Sequence, residues 1–265
     1  MTTPLDEILE TTRRGLAPLR ARARELAAAA RAAPPPRSWL AAFTERDVAV
    51  VAEVKRRSPS AGVIAPHLDP ARRAAAYVAG GARAVSVLTE PAFFDGSLAD
   101  LRCVANVVNA PVLRKDFIVD PVQLYEARLA GASAVLLIVR ALDPSQLVEL
   151  AGEAASLGLG RLVEVHEAHE LEWAMRVEPE TVGVNSRDLR TLEVDVAGTR
   201  EVLRLVPPGV VAVAESGLGG RRDVERVAAW GADAVLVGTA LSRDGAPERA
   251  VRSLCGVPRR RRDAA

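Results

Sequence analysis

The sequence predicts an α/β protein, a closed (β/α)8 barrel of the TIM type with a helical extension at its N-terminus. Three observations support this fold class: short apolar runs that recur along the chain, stretches of helical length between them, and glycines just before many of the runs. Eight alternations of strand and helix indicate parallel strands, and continuous apolar runs suit a sheet buried on both faces. An open doubly wound sheet shares this alternation, but eight repeats without a long crossover favour closure.

The predicted strands are rich in β-branched residues and recur at intervals of about twenty to thirty residues. They are Val50–Val54, Ala84–Leu88, Val112–Arg114, Ala134–Val139, Leu162–Val165, Val182–Asn185, Val210–Ala214 and Ala234–Val237. Amphipathic stretches rich in alanine and arginine lie between most of them. Four of these are predicted as helices, over Pro70–Ala79, Pro121–Ala130, Pro144–Leu157 and Arg222–Ala229.

Three segments are predicted from the order of these patterns: an N-terminal helical extension and proline-rich connector over residues 1–47, a barrel catalytic domain over 48–256, and a basic C-terminal tail over 257–265. Gly15 and Pro18 interrupt the extension, which is expected to form one or two helices outside the barrel. The segment 34–36 is Pro-Pro-Pro and stops any helix, after which Trp39–Phe43 is predicted to fold back onto the barrel. The arginines of 259–262 are expected to form a frayed, solvated end.

Amino-acid composition argues against nucleic acid and membranes as binding partners. A formal net charge of +1 over 265 residues is not the basic field of a nucleic-acid-binding protein. The two cysteines, Cys103 and Cys255, are too few for a disulfide framework, and no apolar run approaches the length of a membrane span. We therefore expect a cytoplasmic monomer that binds neither nucleic acid nor membrane.

The positive charges have an unusual distribution. Of the 35 basic residues, 33 are arginine and only Lys55 and Lys115 are lysine, each close to the end of a predicted strand. In barrels of this type the reacting groups lie at the carboxyl ends of the strands. A lysine ammonium can be tuned to release its proton, whereas arginine stays charged. Retention of these two lysines indicates a need for titratable cations, with compositional drift as the alternative.

Three glutamates also stand at strand ends. Glu53 and Lys55 point to the same face, since they are two residues apart, and a purely structural ion pair is the alternative to a catalytic role. Glu164 alternates with valines on a core strand, where a carboxylate is costly unless it is paired. Glu215 ends the seventh strand. Asn185 follows the sixth strand and is either a catalytic group or a loop cap.

Small residues after the last two strands predict a phosphate site. Gly217 and Gly238 allow close approach of the backbone, and Ser216 and Thr239 add hydroxyl groups, although glycine also makes ordinary tight turns. His67, His166 and His169 do not have the spacing of a metal site, and surface positions are expected for the last two. We expect no metal and no organic cofactor. From the residues alone, the prediction is a barrel enzyme that acts on a phosphorylated, partly apolar small molecule.

Six motifs in succession resemble those of the indole-3-glycerol-phosphate synthase family. They are Glu53–Gly62, Ser86–Ser97, Pro111–Asp120, Leu162–His166, Val184–Leu189 and Ala214–Gly217. The resemblance implies a carboxy-lyase of tryptophan biosynthesis, which converts 1-(2-carboxyphenylamino)-1-deoxyribulose 5-phosphate to indole-3-glycerol phosphate, carbon dioxide and water. It also implies that an N-terminal helical segment lies over the barrel mouth.

The resemblance implies a role for each site residue. Lys115 is the acid of ring closure, Lys55 supports the phosphate end or acts as a second acid, and Glu164 is the base of the dehydration. Glu53, Asn185 and Glu215 orient these groups, and Arg187 meets the substrate carboxylate. The implied apolar slot for the aromatic ring consists of Phe93, Phe117 and Leu136, and the implied phosphate site consists of Ser58, Ser216, Gly217, Gly238 and Thr239.

Two other functions remain open from the sequence. One is a barrel aldolase whose lysines form Schiff bases with a sugar phosphate. The other is a catalytically silent, phosphate-binding barrel that serves as a partner subunit, which retention of both lysines and all three glutamates disfavours.

Overall fold

The computed structural model describes residues 3–260 and 262, and its central feature is a closed barrel of parallel strands. The strands are β1 (Ala49–Val54), β2 (Ala84–Leu88), β3 (Val112–Lys115), β4 (Ala134–Ile138), β5 (Gly160–Val165), β6 (Thr181–Asn185), β7 (Val211–Glu215) and β8 (Ala234–Val237). Each strand pairs with the next along the chain, and β8 pairs with β1 to close the ring. The predicted barrel is confirmed, and the open doubly wound sheet is excluded.

Helices surround the barrel and cover its ends. They are α1 (Pro4–Gly15), α2 (Ala17–Arg20), α3 (Ala23–Ala32), α4 (Pro70–Ala79), α5 (Pro91–Phe94), α6 (Leu98–Val107), α7 (Pro121–Leu129), α8 (Pro144–Ser156), α9 (Ala168–Met175), α10 (Val196–Leu205), α11 (Arg221–Ala229), α12 (Thr239–Arg243) and α13 (Pro247–Leu254). Two 3-10 turns, Leu40–Phe43 and Val139–Ala141, and a short hairpin of Arg57–Ser58 with Gly62–Val63 complete the fold. Across residues 3–260 and 262, none of the helices has the length and apolarity that a membrane crossing requires.

Several helices after the first strand begin at an Asp-Pro pair. Asp69, Asp120 and Asp143 cap α4, α7 and α8 by accepting hydrogen bonds from backbone N–H groups in the first turn. The proline that follows has no N–H to leave unsatisfied at that position. Local sequence therefore determines where these three helices start.

Alternation along the strands divides the core into two parts. In β1, Ala49 and Val51 pack inside the barrel, whereas Val50 and Ala52 pack outward against the helices. By the same alternation Glu53 faces inward, at the carboxyl end of the strand. The strand pattern therefore brings polar side chains to one end of an otherwise apolar interior.

The segment before β1 closes the opposite end of the barrel. Trp39 is 3% exposed, its ring lies against Gly160, and its indole N–H donates to Thr181 Oγ1 at 3.1 Å. Phe43 packs edge-on against it, with ring centroids 5.1 Å apart. Because Gly160 and Thr181 begin β5 and β6, the tryptophan lies at the amino-terminal face. The predicted return of this segment to the barrel is confirmed.

The N-terminal region has three helical segments, where one or two were predicted. Gly15 ends α1, and Pro18 lies in the first turn of α2, where its missing N–H costs nothing. The helix α3 packs against α7, and Arg31 forms an ion pair with Glu153 at 2.6 Å. The extension is therefore attached along the side of the barrel.

The basic C-terminal end is ordered by its partners, so the expected fraying is wrong for Arg259 and Arg262. The backbone N–H of Arg259 donates to the carbonyl of Arg46 at 3.0 Å. The guanidinium of Arg262 contacts Asp233 at 2.8 Å and the carbonyl of Val210 at 2.6 Å. These contacts involve distant parts of the chain, which a local charge run does not reveal. Arg261 lies outside the described residues.

Candidate active site

A cavity of about 550 Å³ opens at the carboxyl ends of the barrel strands. All of the residues predicted as catalytic line it, namely Glu53, Lys55, Lys115, Glu164, Asn185 and Glu215. They come from or directly follow β1, β3, β5, β6 and β7. Residues far apart in sequence meet here because parallel strands of a barrel end on one face.

Lys115 lies between two buried carboxylates. Its Nζ is 2.7 Å from Glu215 Oε2 and 3.1 Å from Glu164 Oε2. Burial of the ammonium favours loss of its proton, but the surrounding carboxylates, Glu215 foremost, outweigh burial and raise the pKa of Lys115 above its ordinary value. The sequence suggested a lysine tuned towards release of its proton, and its surroundings act in the opposite direction.

The two carboxylates beside Lys115 are shifted in opposite directions. Burial raises the pKa of Glu215 to about 8, and the nearby charge of Glu164 adds to this effect against the attraction of Lys115. Burial acts in the same way on Glu164, but the charges of Lys115 and His166 outweigh it and lower the pKa of Glu164. Burial together with this unequal sharing of positive charge leaves Glu215 protonated and Glu164 ionised at neutral pH.

A second ion pair lies next to this group. Lys55 Nζ is 2.8 Å from Glu53 Oε1, and the Glu53 side chain is 2% exposed. A Cβ atom on Gly238 would lie 2.2 Å from Glu53 Oε1 and 2.9 Å from Lys55 Nζ. The pair therefore occupies space that exists only because residue 238 lacks a side chain.

The loop after β6 is held by its own polar groups. Asn185 Oδ1 accepts the backbone N–H of Arg187 at 3.0 Å, and Arg187 Nη1 donates to the carbonyl of Leu192 at 2.7 Å. Gly183, within β6, was missed from the sequence: a Cβ there would lie 2.1 Å from Glu215 Oε1. A glycine inside a strand often marks such a close approach, and this signal was available.

The residues predicted to bind phosphate lie together along one side of the cavity. Ser58, Ser216, Gly217, Gly238 and Thr239 are all among its lining residues. Ser216 and Gly217 both have a left-handed backbone, with φ of 65°, which is uncommon for serine. Thr239 begins α12. Phosphate binding by this group stays a prediction.

The apolar wall differs from the sequence prediction at one position. Phe117 and Leu136 line the cavity as predicted, but Phe93 does not, and its neighbour Phe94 lines it instead. The rings of Phe94 and Phe117 are 6.1 Å apart. Phe93 and Phe94 are the last two residues of the four-residue helix α5, where successive side chains point in different directions, so sequence order did not decide between them. Ile8 of α1 also lines the cavity.

The expected surface position is wrong for His166 and correct for His169. The His166 side chain is 4% exposed and lies beside Glu164 and Glu170, whereas that of His169 is 68% exposed. Leu162, Glu164 and His166 continue a period of two past the end of β5, and that pattern was the missed signal. In the described part of the chain, no three His, Cys, Asp or Glu side chains are grouped as a metal site.

Comparison with known proteins identifies the family. A family model described as indole-3-glycerol phosphate synthase matches residues 5–254. The chain belongs to the indole-3-glycerol phosphate synthase family. The indole-3-glycerol phosphate synthases of Mycobacterium ulcerans and Mycobacterium tuberculosis are 49% and 48% identical to it over 254 residues. Each alignment covers 95% of this chain and 93% of the relative.

Solved structures with the same architecture are more distant from this indole-3-glycerol phosphate synthase family member. A 3-hexulose-6-phosphate synthase from Salmonella typhimurium has a TM-score of 0.63 at 14% identity and covers 78% of this chain and 96% of its own. A thiamine phosphate pyrophosphorylase from Pyrococcus furiosus has a TM-score of 0.58 at 17% identity, covering 78% and 93%. These similarities support the barrel fold alone.

Membership of the indole-3-glycerol phosphate synthase family establishes the activity. The chain is a carboxy-lyase of tryptophan biosynthesis that acts on a phosphorylated small molecule. This activity decides against the aldolase and the catalytically silent barrel.

Proposed function

We propose that the cavity performs the ring closure, decarboxylation and dehydration of 1-(2-carboxyphenylamino)-1-deoxyribulose 5-phosphate with Lys115 as the acid of ring closure. The observation that carries this proposal is the position of the Lys115 ammonium, 2.7 Å from Glu215 and 3.1 Å from Glu164 in the cavity. A proton donor and two carboxylates of different pKa are thereby held together at the end of the barrel. Such a separation of pKa values is typical of acid–base sites.

Ring closure requires a proton on the ketone oxygen. As the aryl carbon bonds to the carbonyl carbon, the C=O π electrons move to oxygen, which takes a proton from the Lys115 ammonium. Because neighbouring carboxylates raise its pKa against the effect of burial, the ammonium stays protonated until negative charge develops on that oxygen. The bond to the carboxylate then breaks, carbon dioxide leaves, and its bonding electrons restore the aromatic ring.

Dehydration requires a base and a second proton. The hydroxyl formed at ring closure takes a proton from an ammonium and leaves as water, while Glu164 removes a proton from the intermediate. The lowered pKa of Glu164 supports this role, because it leaves the carboxylate ionised and able to accept. Lys55 lines the same cavity and is either the proton donor of this step or a ligand of the phosphate.

The remaining residues have binding and orienting roles in this proposal. Arg187 meets the substrate carboxylate, and Phe117 and Leu136, with Phe94 in place of Phe93, hold the aromatic ring. Glu53, Asn185 and Glu215 orient the lysines and the base. Hydroxyl groups and backbone N–H groups are suitable ligands for the phosphate. We assign that function to Ser58, Ser216, Gly217, Gly238 and Thr239.

We also propose a monomer that acts in the cytoplasm, with residues 48–256 as the catalytic unit, 1–47 as an extension whose first helix lies over its mouth and 257–265 as a tail. Contact of Ile8 with the cavity supports the position of the extension. The free cysteines Cys103 and Cys255 are compatible with a reducing compartment. Sedimentation of the purified protein measures its mass, and a dimer would contradict the monomer.

Lys115→Arg tests the proposed acid. Arginine keeps the charge but does not donate a proton at comparable acidity, so turnover is expected to fall about 100- to 10,000-fold while substrate still binds. The rise of indole fluorescence measures turnover. Lys55→Arg is the matched variant, and a milder loss is expected if Lys55 contacts phosphate, since arginine is a good phosphate ligand.

Each alternative gives a distinct result. Near-normal turnover of Lys115→Arg would mean that positive charge alone suffices at this position. Collapse of turnover in Lys55→Arg with binding intact would make Lys55 the second proton donor. A borohydride-reduced adduct of substrate on either lysine would indicate Schiff-base chemistry.

A further inference from the structure

We propose that His166 is a positioning residue for Glu164, holding one oxygen of its carboxylate by an N–H donor while Lys115 holds the other. The inference rests on the proposed role of Glu164 as the base. His166 follows β5 directly and is separated from Glu164 by one residue, so both side chains project to the same side of the chain. His166 lies beside the carboxylate oxygen that Lys115 does not contact.

Two unpartnered atoms of the described residues face each other, His166 Nε2 and Glu164 Oε1. His166 Nε2 lies 3.6 Å from Glu164 Oε1, slightly beyond hydrogen-bond distance. Within residues 3–260 and 262, neither nitrogen of the His166 ring has a hydrogen bond, and Glu164 Oε1 has none either. The Glu164 side chain is 1% exposed, and a buried carboxylate oxygen without a donor is costly. A small movement of either side chain closes this gap and satisfies both atoms.

The far side of the imidazole is fixed by a second anion. His166 Nδ1 is 3.5 Å from Glu170 Oε2, the oxygen that also accepts the His166 backbone N–H at 2.6 Å. Glu170 Oε1 accepts from Arg140 Nε at 2.7 Å. Burial raises the pKa of Glu170, but contact with the His166 ring and hydrogen bonds from Arg140 and the His166 backbone outweigh it and lower the pKa to about 2. Glu170 is therefore a stable anion that holds the ring in place.

These contacts define which charges face the imidazole. Glu164 approaches from β5 and Glu170 from α9, with Arg140 behind Glu170 and Lys115 behind Glu164. A ring that carries its N–H at Nε2 supplies the donor that Glu164 needs. A donor to the ionised carboxylate favours ionisation, in agreement with the lowered pKa of Glu164.

Two polar substitutions of His166 distinguish a positioning role from a role in which the ring only fills space. In H166Q, the side-chain nitrogen replaces Nε2 and still reaches Glu164, whereas in H166N it replaces Nδ1 and reaches only Glu170. We expect H166N to lower kcat about 10- to 100-fold, the value of a hydrogen bond to a charged group. Loss of the donor should also shift the acidic limb of the kcat profile about one unit higher in pH. H166Q should stay within about 3-fold of wild type.

H169Q is the matched control, because His169 is exposed on the same helix start. It should leave both kcat and the pH profile unchanged. Equal losses in H166N and H166Q would indicate a structural role and overturn the proposal, as would an H166N profile identical to that of wild type. In the unsubstituted protein, 15N NMR of the ring should show a proton on Nε2, and an unprotonated Nε2 would overturn the proposal whether or not the variants fold.

Glu164→Gln separates this proposal from the one on which it rests. If E164Q keeps wild-type turnover, Glu164 is not the base and the proposed function fails. If E164Q is inactive and H166N behaves as wild type, only the positioning role fails. The double variant E164Q/H166N should be no less active than E164Q alone, because the two residues act as one unit.

Discussion

The protonation of Glu164, Lys115 and Glu215 depends on their burial and on the charges buried with them. Both carboxylates contact the same ammonium, and each glutamate side chain is 1% exposed. The raised pKa of Glu215, about 8, and the lowered pKa of Glu164 mean that the first is neutral and the second ionised at neutral pH. The site thus contains a charged base and a neutral acid on either side of Lys115.

This difference predicts a dependence of stability on pH. Because the pKa of Glu215 is about 8 in the folded protein and ordinarily 4.5, the folded state binds more protons between those values. The stability that this group contributes is present below about pH 4.5 and is lost as pH rises through about 8. Glutamine cannot lose a proton, so the Tm of Glu215→Gln minus that of wild type should increase by at least about 2 °C between pH 5 and pH 8.5.

Thermal unfolding followed by circular dichroism at several pH values measures this difference. Glu172→Gln is the control, because Glu172 is exposed on α9, and its difference from wild type should not vary with pH. A difference for Glu215→Gln that is constant from pH 5 to pH 8.5 would show that Glu215 titrates alike in the folded and unfolded chain.

Residue type and strand position were enough to predict that the lysines and glutamates at the strand ends line the cavity, but not how each is charged. Glu53, Glu164 and Glu215 occupy equivalent places at strand ends, and nothing local distinguishes them. Burial and the number of cations within reach together decide the pKa values of Glu164 and Glu215, and both depend on how the strands are arranged around the barrel. For the same reason, the sequence did not predict that the pKa of Lys115 is raised.

At the scale of the element, a glycine within one strand and a glycine just after another make room for charged side chains. Gly183 in β6 admits Glu215, and Gly238 after β8 admits the Glu53–Lys55 pair. In both cases the atom that a Cβ would strike belongs to a neighbouring strand. The absence of a side chain on one strand therefore determines where the charged side chain of the neighbouring strand can lie.

Gly238→Ala tests this coupling. The added methyl group would displace Glu53 and Lys55, and a misplacement of about 1 Å in a catalytic group typically costs about 100-fold in turnover, so a loss of this size is expected. Gly245→Ala, where a Cβ meets nothing within 4 Å, should keep wild-type turnover. The fluorescence assay measures both variants, and circular dichroism checks their fold. Equal activity of the two variants would show that the ion pair adapts without cost.

Element boundaries followed from sequence where the signals were local. The helix α4 and the strands β2 and β8 have the predicted limits, because Asp-Pro caps, glycines and apolar runs define them. The choice between Phe93 and Phe94 depends on the rotation of a four-residue helix relative to the barrel. That rotation is set by tertiary packing and has no counterpart in a short sequence pattern.

At the scale of the whole molecule, the two ends of the barrel have different tasks. The cavity occupies the carboxyl end, and Trp39 with Phe43 fills the amino end. In barrels of this class, the carboxyl face carries catalysis and the opposite face carries stability. Substitutions at the carboxyl end should therefore lower turnover, whereas substitutions at the amino end should lower the free energy of unfolding.

Trp39→Ala is predicted to reduce stability without reducing turnover. Removal of a buried tryptophan typically costs about 3–5 kcal/mol, and the cavity at the other end retains its residues. Denaturant unfolding gives the free energy, and kcat is measured well below the melting temperature. Leu40→Ala is the control, since Leu40 is 43% exposed and should change stability by less than about 0.5 kcal/mol. Loss of kcat in a folded Trp39→Ala protein would contradict the separation of the two ends.

The closed barrel was predictable from eight repeated local patterns, whereas contacts between distant segments were not. Trp39 binds at the start of β5 and β6, and Arg262 binds Asp233 and the carbonyl of Val210. The sequence predicts that the segment of Trp39 returns to the barrel but not where it binds, and for Arg262 it predicts a frayed end. His166 was missed for a different reason, because its alternation with Glu164 extends beyond the apolar run that marked the strand.

The position of Trp39 has a consequence for synthesis of the chain. Its hydrogen-bond partner Thr181 lies 142 residues later in the chain. Trp39 therefore emerges from the ribosome long before its binding site has been synthesised. During that interval an aromatic segment destined for the barrel interior is without its partners. The amino end of the barrel therefore closes late, after β5 and β6 have emerged, and a nascent chain halted before that point exposes a surface that chaperones recognise.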